Sequence, residues 1–289
     1  MTSDAQFEDI NETKANMDHI YNQLDPRDYF RELKEFDYSI PDAAKPIFQK
    51  LINHLRKRRG DTIHILDLGC SYGINAALLK YNLSMDDLYD HWGRKKPANS
   101  TPEAVTVHDR NFFGDCNESQ DIAVIGLDQA ENAITFAEKV GLLDQGFAIN
   151  LETEPLPERA NRDLAATDLV ISTGCVGYVT EKSFDRLLPV ITQGQRPWLA
   201  NFVLQLFPFD AIEATLNKWG YVTEKLEGHT FVQRQFVSTD EQKQALDRLR
   251  DRGIEPTGQE AKNRLLAEFY LSRPAADAAK TPIEDLLSA

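Results

Sequence analysis

The fold is decided by the stretch Ile63-His64-Ile65-Leu66-Asp67-Leu68-Gly69-Cys70-Ser71-Tyr72-Gly73, which continues into Ile74-Asn75-Ala76-Ala77-Leu78-Leu79. Its first part is mostly apolar with recurring β-branched residues, a pattern typical of a buried strand in a parallel sheet. Gly69 and Gly73 then allow a sharp turn, and the residues after Gly73 predict the start of a helix. Such a corner is suited to binding a nucleotide, because backbone N–H groups and the positive end of the helix dipole face the ligand.

The glycine pattern separates two classes of nucleotide site. A dinucleotide fingerprint needs glycines at its first, third and sixth positions, which here are Gly69, Ser71 and Ile74, so two of the three fail. The run from Asp67 to Gly73, an acid followed by two spaced glycines, instead resembles the first motif of the class I S-adenosylmethionine (SAM)-dependent methyltransferases. That family usually has a further glycine where this chain has Ser71. The alternative is an ordinary strand-turn-helix corner without a ligand.

A second strand signal ends in an acid at Asp128. The segment Asp121-Ile122-Ala123-Val124-Ile125-Gly126-Leu127-Asp128 is apolar between its two acids. A carboxylate at such a strand end can accept two hydrogen bonds from a ribose diol. In the family the corresponding acid holds the adenosine ribose, so the resemblance implies this role for Asp128. Asp67 and Asp128 lie 61 positions apart, whereas about 20 is usual, so residues 81–120 are predicted to form an insertion.

The resemblance implies a set of cofactor-binding residues in four segments. Gly69 and the turn after it lie against the amino-acid part of SAM, and Asp67 helps to fix the loop and its ligands. The predicted third strand, residues 146–152, leads to the adenine, and the loop after the predicted fourth strand, residues 168–175, lies where open α/β sheets place ligands. The predicted set is Asp67, Gly69, Cys70, Ser71, Gly73, Asp128, Gln129, Asn150, Leu151, Glu152, Thr173 and Gly174.

The loop after the fourth strand also narrows the acceptor. In amino-directed DNA methyltransferases and protein-glutamine methyltransferases this loop reads Asp/Asn-Pro-Pro-Tyr, whereas this chain has Thr173-Gly174-Cys175-Val176-Gly177-Tyr178. These two substrate classes are therefore disfavoured. Tyr178 is a candidate for orienting the nucleophile, or it packs as the start of the next helix. His19 and His108 are the candidates for a catalytic base, although many enzymes of the family use none.

Three predicted helices rich in aromatic residues precede the sheet, and the first of them covers residues 13–24. They resemble the N-terminal lid that small-molecule methyltransferases fold over their cofactor. Tyr21, Tyr29 and Tyr38 are the candidate lid or substrate-contacting residues. Simple packing against the sheet is an equal alternative for each ring, because an aromatic stripe at helical spacing is also typical of a core.

Composition limits the class of protein. The chain has 289 residues and a net charge of −14, with 42% hydrophobic and 27% charged residues, as in ordinary globular proteins. This acidity disfavours a nucleic-acid partner, which usually requires a basic face. No apolar run approaches the roughly 18 residues of a membrane span, and no secretory signal is visible. Three cysteines without metal-ligand spacing predict no metal site and a cytoplasmic protein.

The order of predicted elements indicates an α/β fold. We predict a Rossmann-like, doubly wound sheet of seven strands with the last strand antiparallel. Residues 1–58 would form the helical lid, 59–240 the SAM-binding core with the insertion at about 81–120, and 241–289 C-terminal helices and a tail. Three further expectations are a strand at 104–107, an antiparallel pair formed by 221–227 with 230–237, and a helix over 259–270.

The resemblance implies SAM-dependent methyl transfer to an oxygen or nitrogen atom of a small molecule. The alternative is a SAM-binding protein without transfer activity, acting as a regulatory or partner subunit, which the serine at position 71 and the insertion motivate. A nicotinamide dehydrogenase is disfavoured by the glycine spacing. The sequence leaves the acceptor and the oligomeric state open, a homodimer included.

Overall fold

The computed structural model describes residues 18–60, 62–94, 101–117, 121–256 and 258–288. The strands are β1 (Ile63–Leu68), β2 (Ile122–Asp128), β3 (Gln145–Ala148), β4 (Leu169–Thr173), β5 (Trp198–Leu204), β6 (Tyr221–Lys225), β7 (Phe231–Gln235) and β8 (Arg264–Pro274). The helices are α1 (Asp18–Tyr21), α2 (Arg27–Glu35), α3 (Ile40–Arg59), α4 (Ile74–Lys80), α5 (Met85–Trp92), α6 (Pro102–Gly114), α7 (Glu131–Lys139), α8 (Glu158–Leu164), α9 (Glu181–Ile191), α10 (Asp210–Lys218), α11 (Thr239–Asp251), α12 (Ala275–Ala278) and α13 (Ile283–Ser288), with a 3₁₀ turn at Glu260–Lys262.

One mixed sheet of eight strands organises the described part of the chain. Its order is β3-β2-β1-β4-β5-β8-β6, and β7 also pairs with β8. Strands β1 to β5 are parallel, and β8 runs antiparallel to β5, β6 and β7. The chain leaves β1 towards β2 on one side and later returns to β4 on the other. The predicted doubly wound fold is confirmed, and its switch point lies between the carboxyl ends of β1 and β4.

The two faces of the sheet are covered by separate apolar clusters. Along β1, Ile63 and Ile65 enter one cluster, whereas Leu66 and Leu68 enter the other, as the alternation of a strand requires. Both clusters consist of side chains that are less than a tenth exposed. Burial on both faces explains the near-continuous apolar sequence of this strand. Within the described residues, none of the helices combines the length and apolarity needed to cross a bilayer.

The C-terminal part of the chain differs from the prediction. The expected helix over 259–270 is wrong, because β8 begins at Arg264 and lies between β5 and the β6 and β7 strands. Strands β6 and β7 do not form the expected pair, since each bonds to a different half of β8. The core of the fold therefore extends beyond residue 240. A mostly apolar run that is buried on both faces does not distinguish helix from strand by spacing alone.

The described part of the insertion is mainly helical. The helix predicted over 85–92 is confirmed as α5, and Ser84 and Asp87 close its first turn with reciprocal hydrogen bonds. The strand expected at 104–107 is wrong, because these residues lie inside α6. Thr101 accepts a hydrogen bond from the N–H of Ala104, and Pro102 occupies the first position of the helix. These start signals outweigh the two β-branched valines.

The N-terminal helices are joined to the sheet by backbone hydrogen bonds. The Ser39 N–H donates to the Gln233 carbonyl at 2.9 Å, and the Gln235 N–H donates to the Phe36 carbonyl at 2.6 Å. Both bonds connect the α2–α3 link to β7. The first helix was expected to begin at Thr13, but residues before 18 lie outside the described part of the chain. The short α1 and the longer α2 and α3 match the expected three-helix order.

Candidate functional site

The turn after β1 contains three residues with positive φ, namely Gly69 (73°), Ser71 (48°) and Gly73 (77°). A side chain at Gly69 is excluded, because a Cβ there would lie 2.6 Å from Cys175 Cβ in the loop after β4. Ser71 takes up the left-handed conformation that glycine usually provides. The serine at this position therefore preserves the backbone of the turn. Gly69 therefore allows the loop after β4 to pack directly against the turn after β1.

Asp67 lies in this contact and is fully buried. Its Oδ1 accepts a hydrogen bond from Asn75 Nδ2 at 3.0 Å, and the same amide group donates to Thr173 Oγ1 at 3.2 Å. Its Oδ2 is buried and has no hydrogen-bond partner among the described residues. Burial raises the pKa of Asp67 to about 7. A cationic or hydrogen-bond-donating ligand would satisfy this oxygen and favour the ionised carboxylate.

Asp128 lies at the end of β2, on the other side of the turn. Its two oxygens accept hydrogen bonds from the N–H groups of Ser71 at 2.9 Å and Ala130 at 3.0 Å. Burial raises the pKa of this carboxyl, and the residue keeps partial exposure. Each carboxylate oxygen retains a second lone pair, so the group is oriented by the backbone and still able to accept from a diol. Gln129, the next residue, is exposed.

The segment after β3 is occupied by internal bonds. Asn150 Oδ1 accepts from the N–H of Glu152 at 3.0 Å, and Leu151 is buried. The Glu152 carboxylate accepts from the Thr180 N–H and hydroxyl at 2.8 and 2.7 Å and from the Ser183 hydroxyl at 2.5 Å. These bonds place Glu152 at the start of α9, where it satisfies free donors of the first turn. Contact of these three residues with an adenine stays a prediction.

The loop after β4 approaches the glycine turn. Thr173 joins it through Asn75, and Gly174 has a φ of 75°. The Gln233 side chain packs against Gly174, because a Cβ at that glycine would lie 2.9 Å from Gln233 Nε2. Tyr178, further along the loop, is 51% exposed. The loop thus brings two predicted residues, Thr173 and Gly174, to the same place as Asp67.

Sequence reasoning missed Asn75 and Gln233. Asn75 is polar and buried on the first turn of α4, and its position eight residues after Asp67 was a usable signal. Gln233 lies on β7, more than 50 positions beyond Gly174. Only the pairing of β7 with β8 brings it to this site.

The candidate bases occupy different elements. His19 on α1 is exposed and contacts Glu32 Oε2 at 2.8 Å. His108 on α6 is exposed, and its ring stacks on that of His91 with centroids 5.4 Å apart. No hydrogen bond or distance recorded in the described structure assigns either histidine to the glycine turn. Both stay predictions, as does Tyr178.

The lid tyrosines differ in exposure. Tyr21 is 39% exposed, whereas Tyr29 and Tyr38 are buried. The Tyr29 ring lies 5.5 Å from that of Tyr72, a residue of the glycine turn itself. The Tyr72 hydroxyl accepts from the Gln23 N–H at 2.8 Å. Burial raises the pKa of Tyr29 and of Tyr38, so both phenols stay neutral. The lid is therefore docked on the turn that carries the predicted cofactor residues.

A buried ionic cluster joins the lid to the insertion. Asp109 is fully buried and accepts hydrogen bonds from both terminal nitrogens of Arg27, from Trp92 Nε1 and from His91 Nε2 at 2.8–3.1 Å. His91, His108 and Asp109 lie close enough to share a metal ion. Four donors already use the roughly four lone pairs of the carboxylate. This arrangement fits a structural ion pair better than a metal site.

No family model matches this chain, and no curated protein matches it. Similar solved structures include the plantazolicin methyltransferase BpumL in complex with S-adenosylhomocysteine (SAH). Its sequence identity to this chain is 12% and the TM-score is 0.44, and the match covers 93% of this chain and 95% of that one. Another is the magnesium protoporphyrin IX methyltransferase of Synechocystis PCC 6803 with bound SAM, at 10% identity and TM-score 0.38, covering 79% and 78%. A third is a TehB-like SAM-dependent methyltransferase of Corynebacterium glutamicum. Its sequence identity is 14% and the TM-score is 0.36, and the match covers 79% of this chain and 98% of that one. With TM-scores below 0.5, these similarities support no inference about activity.

Proposed function

We propose that this chain is a SAM-dependent methyltransferase that transfers a methyl group to an oxygen or nitrogen atom of a small molecule. One observation carries the proposal. The glycine turn lies between two carboxylates, and one oxygen of Asp67 is buried without a partner among the described residues. A ligand that carries both a cationic group and a diol would satisfy both carboxylates, and SAM carries both.

The residues present fit this cofactor. Asp67 Oδ2 would accept from the α-ammonium group, and Asp128 would accept from the ribose hydroxyls. Gly69, Ser71 and Gly73 form the positive-φ turn between these two acids. Cys70, Gln129, Asn150, Leu151, Glu152, Thr173 and Gly174 remain predicted contacts.

The chemistry places modest demands on the protein. When bound, SAM supplies an activated methyl group, so the protein has mainly to orient the acceptor and exclude water. Alignment at near-attack distance can account for about 7–11 kcal/mol of the barrier. The lid residues Tyr21, Tyr29 and Tyr38 would close the site, and Tyr178 in the β4 loop would orient the nucleophile. His19 and His108 are the proposed proton acceptors where the acceptor atom carries a proton.

A non-catalytic SAM-binding role gains no specific support. One of its two motives was the serine at position 71, and Ser71 adopts the positive φ of the missing glycine. A small-molecule acceptor fits better than a nucleic acid, because the densest basic run, residues 56–59, has members bonded within the protein. Arg56 donates to the Asp121 carbonyl, and Arg58 pairs with Asp277. A cytoplasmic location also belongs to the proposal, supported by three free cysteines.

Calorimetric titration with SAM, S-adenosylhomocysteine (SAH) and NAD tests the proposal. Wild-type protein should bind both adenosyl ligands at micromolar affinity and should not bind NAD. Asp128→Ala should weaken SAM binding by about tenfold or more, because two charge-assisted hydrogen bonds are lost. The matched control is Asp90→Ala, whose side chain is 76% exposed and should leave the affinity unchanged. Saturable NAD binding without SAM binding would overturn the proposal.

A further inference from the structure

Gln233 occupies an irregular position in β7. Val232 pairs with Leu266 and Arg234 pairs with Leu265, so Gln233 is the extra residue of a β-bulge. Bulges interrupt the alternation of a strand and redirect side chains, often next to active sites. The consequence here is that Gln233 and Arg234 are both buried although they are neighbours in sequence.

The two side chains of the bulge find different surroundings. Arg234 pairs with Glu241 at 2.6 Å, an ordinary buried ion pair. Gln233 instead lies against Gly174 in the loop after β4, where a Cβ would come within 2.9 Å of Nε2 and 3.2 Å of Oε1. Gly174 therefore leaves the space that the Gln233 amide fills.

The amide oxygen is not satisfied by the protein. Gln233 is 8% exposed, and its Oε1 is buried without a hydrogen-bond partner in the described part of the chain. Leaving a buried acceptor unsatisfied is unfavourable, so such an atom requires an explanation. Asp67 Oδ2 and Ser71 Oγ share this condition. All three oxygens belong to elements that meet at the β1–β4 switch point, where open α/β sheets bind ligands.

The order of the strands divides the proposed ligand among these groups. Asp128 on β2 would take the ribose, and Asp67 on β1 would take the amino-acid part. The sulfonium lies between these two parts of SAM in its covalent structure. Gln233 reaches the switch point from the β4 side, opposite β2. Of the three unpartnered oxygens at this switch point, Gln233 Oε1 is the one on the β4 side.

We propose that Gln233 is a specificity-determining residue whose amide oxygen recognises the positive charge of the sulfonium, so that the protein binds SAM more tightly than SAH. This inference rests on the proposed function. SAM and SAH share the adenosine and amino-acid parts and differ in the methyl group and the charge on sulfur. An acceptor dipole in a buried site stabilises the charged form selectively. Release of the neutral product after methyl transfer would be favoured as a result.

The experiment compares SAM and SAH binding by calorimetry in three variants. Gln233→Met keeps the length of the side chain and removes the amide. Gln233→Glu places a carboxylate at the same position. The matched control is Gln235→Met, on the same strand, because the Gln235 amide contacts Asp37 and Asn263. Melting temperatures establish that each variant is folded.

Gln233→Met should weaken SAM binding about fivefold to tenfold and change SAH binding less than twofold. Gln233→Glu should shift the preference towards SAM, and Gln235→Met should leave the SAM-to-SAH ratio at its wild-type value. Equal loss of both ligands, or an unchanged ratio in both Gln233 variants, would overturn the role of Gln233 and leave the proposed function standing. Wild-type protein that binds neither ligand would overturn the proposed function, and the role of Gln233 with it.

Discussion

The two ends of the sheet differ in how their buried polar groups are bonded. At the carboxyl ends of β1 and β4, oxygens of Asp67, Ser71 and Gln233 are buried without partners in the described structure. At the other end, Trp198 Nε1 donates to Asp277 at 3.0 Å, and Asp277 also pairs with Arg58 at 2.6 Å. The first end, called the glycine-turn end, leaves these three oxygens without partners. At the second, called the Trp198 end, the indole, Asp277 and Arg58 satisfy one another, although the buried Thr167 hydroxyl before β4 has no partner in the described structure.

The Trp198 end also contains a cavity of about 250 Å³, whose lining includes His54, Lys57, Trp198 and Lys280. The guanidinium groups of Arg58 and Arg273 lie over the Trp198 ring at 5.6 and 5.2 Å. A cavity is a common feature of ligand sites, so this end is the alternative position for a ligand. Unpaired polar atoms specify the chemistry of a ligand, so they favour the glycine turn as the binding site. The comparison predicts that the Trp198 end stabilises the fold and that the glycine-turn end binds the ligand.

The largest effect is expected for a substitution at the Trp198 end, and it is an effect on stability. Trp198→Ala should lower the free energy of unfolding by about 3–5 kcal/mol, because it removes a buried indole together with its hydrogen bond and cation–π contacts. Urea denaturation measures this loss. Trp219→Ala, at a partly exposed tryptophan, should cost clearly less. SAM affinity of the folded Trp198→Ala variant should equal that of the wild type, and a tenfold loss would contradict the division between the two ends.

At the glycine-turn end, Asp67→Asn should have opposite effects on SAM binding and on stability. SAM binding should weaken about tenfold to hundredfold, because the cationic partner loses a buried carboxylate. The melting temperature of the ligand-free protein at pH 8 should rise, since a buried unpaired charge is removed. Calorimetry and thermal unfolding measure the two effects. Asp121→Asn, at an exposed aspartate near the start of β2, serves as the control. Lower stability together with unchanged affinity would contradict a binding role for Asp67.

The pH dependence of both properties should follow the pKa of Asp67, which burial raises to about 7 from an ordinary 3.8. The pKa of Asp67 is higher in the folded protein than its ordinary value. The contribution of Asp67 to the free energy of unfolding is therefore complete below pH 3.8 and is lost as the pH rises through 7. SAM affinity should instead increase about fivefold to tenfold between pH 6 and 7.5, until the ligand ammonium titrates at about 7.7–8.0. Titrations across this range in wild type and Asp67→Asn measure it. Identical pH profiles in the two proteins would exclude Asp67.

The smallest effect is expected for an exposed pair. Arg250 and Asp247 lie 2.8 Å apart on α11, and both side chains are more than half exposed. Arg250→Ala should change the free energy of unfolding by less than about 0.5 kcal/mol, because water and salt screen such pairs. Urea denaturation at low and high salt measures it. A loss comparable to that of Trp198→Ala would show that burial does not distinguish stabilising from neutral contacts here.

The sequence predicted the glycine corner because local signals determine it. Gly69, Gly73 and the acids at strand ends act within a few residues, and the predicted turn and both strands are confirmed. The β8 strand was mistaken for a helix because its partners lie 29 or more positions away in sequence. Gln233 was missed for the same reason. Its importance arises from a bulge and from the approach of β7 to Gly174, which no local pattern encodes.

The central claim is that the ligand binds at the glycine turn and not in the cavity at the Trp198 end. A crystal structure of the protein with SAH tests this claim most directly, because it shows at which end the ligand binds. We predict SAH at the glycine turn, with its ribose hydroxyls on Asp128 and its ammonium group on Asp67 Oδ2. SAH in the cavity beside His54 and Trp198, with the glycine turn unchanged, would contradict the account.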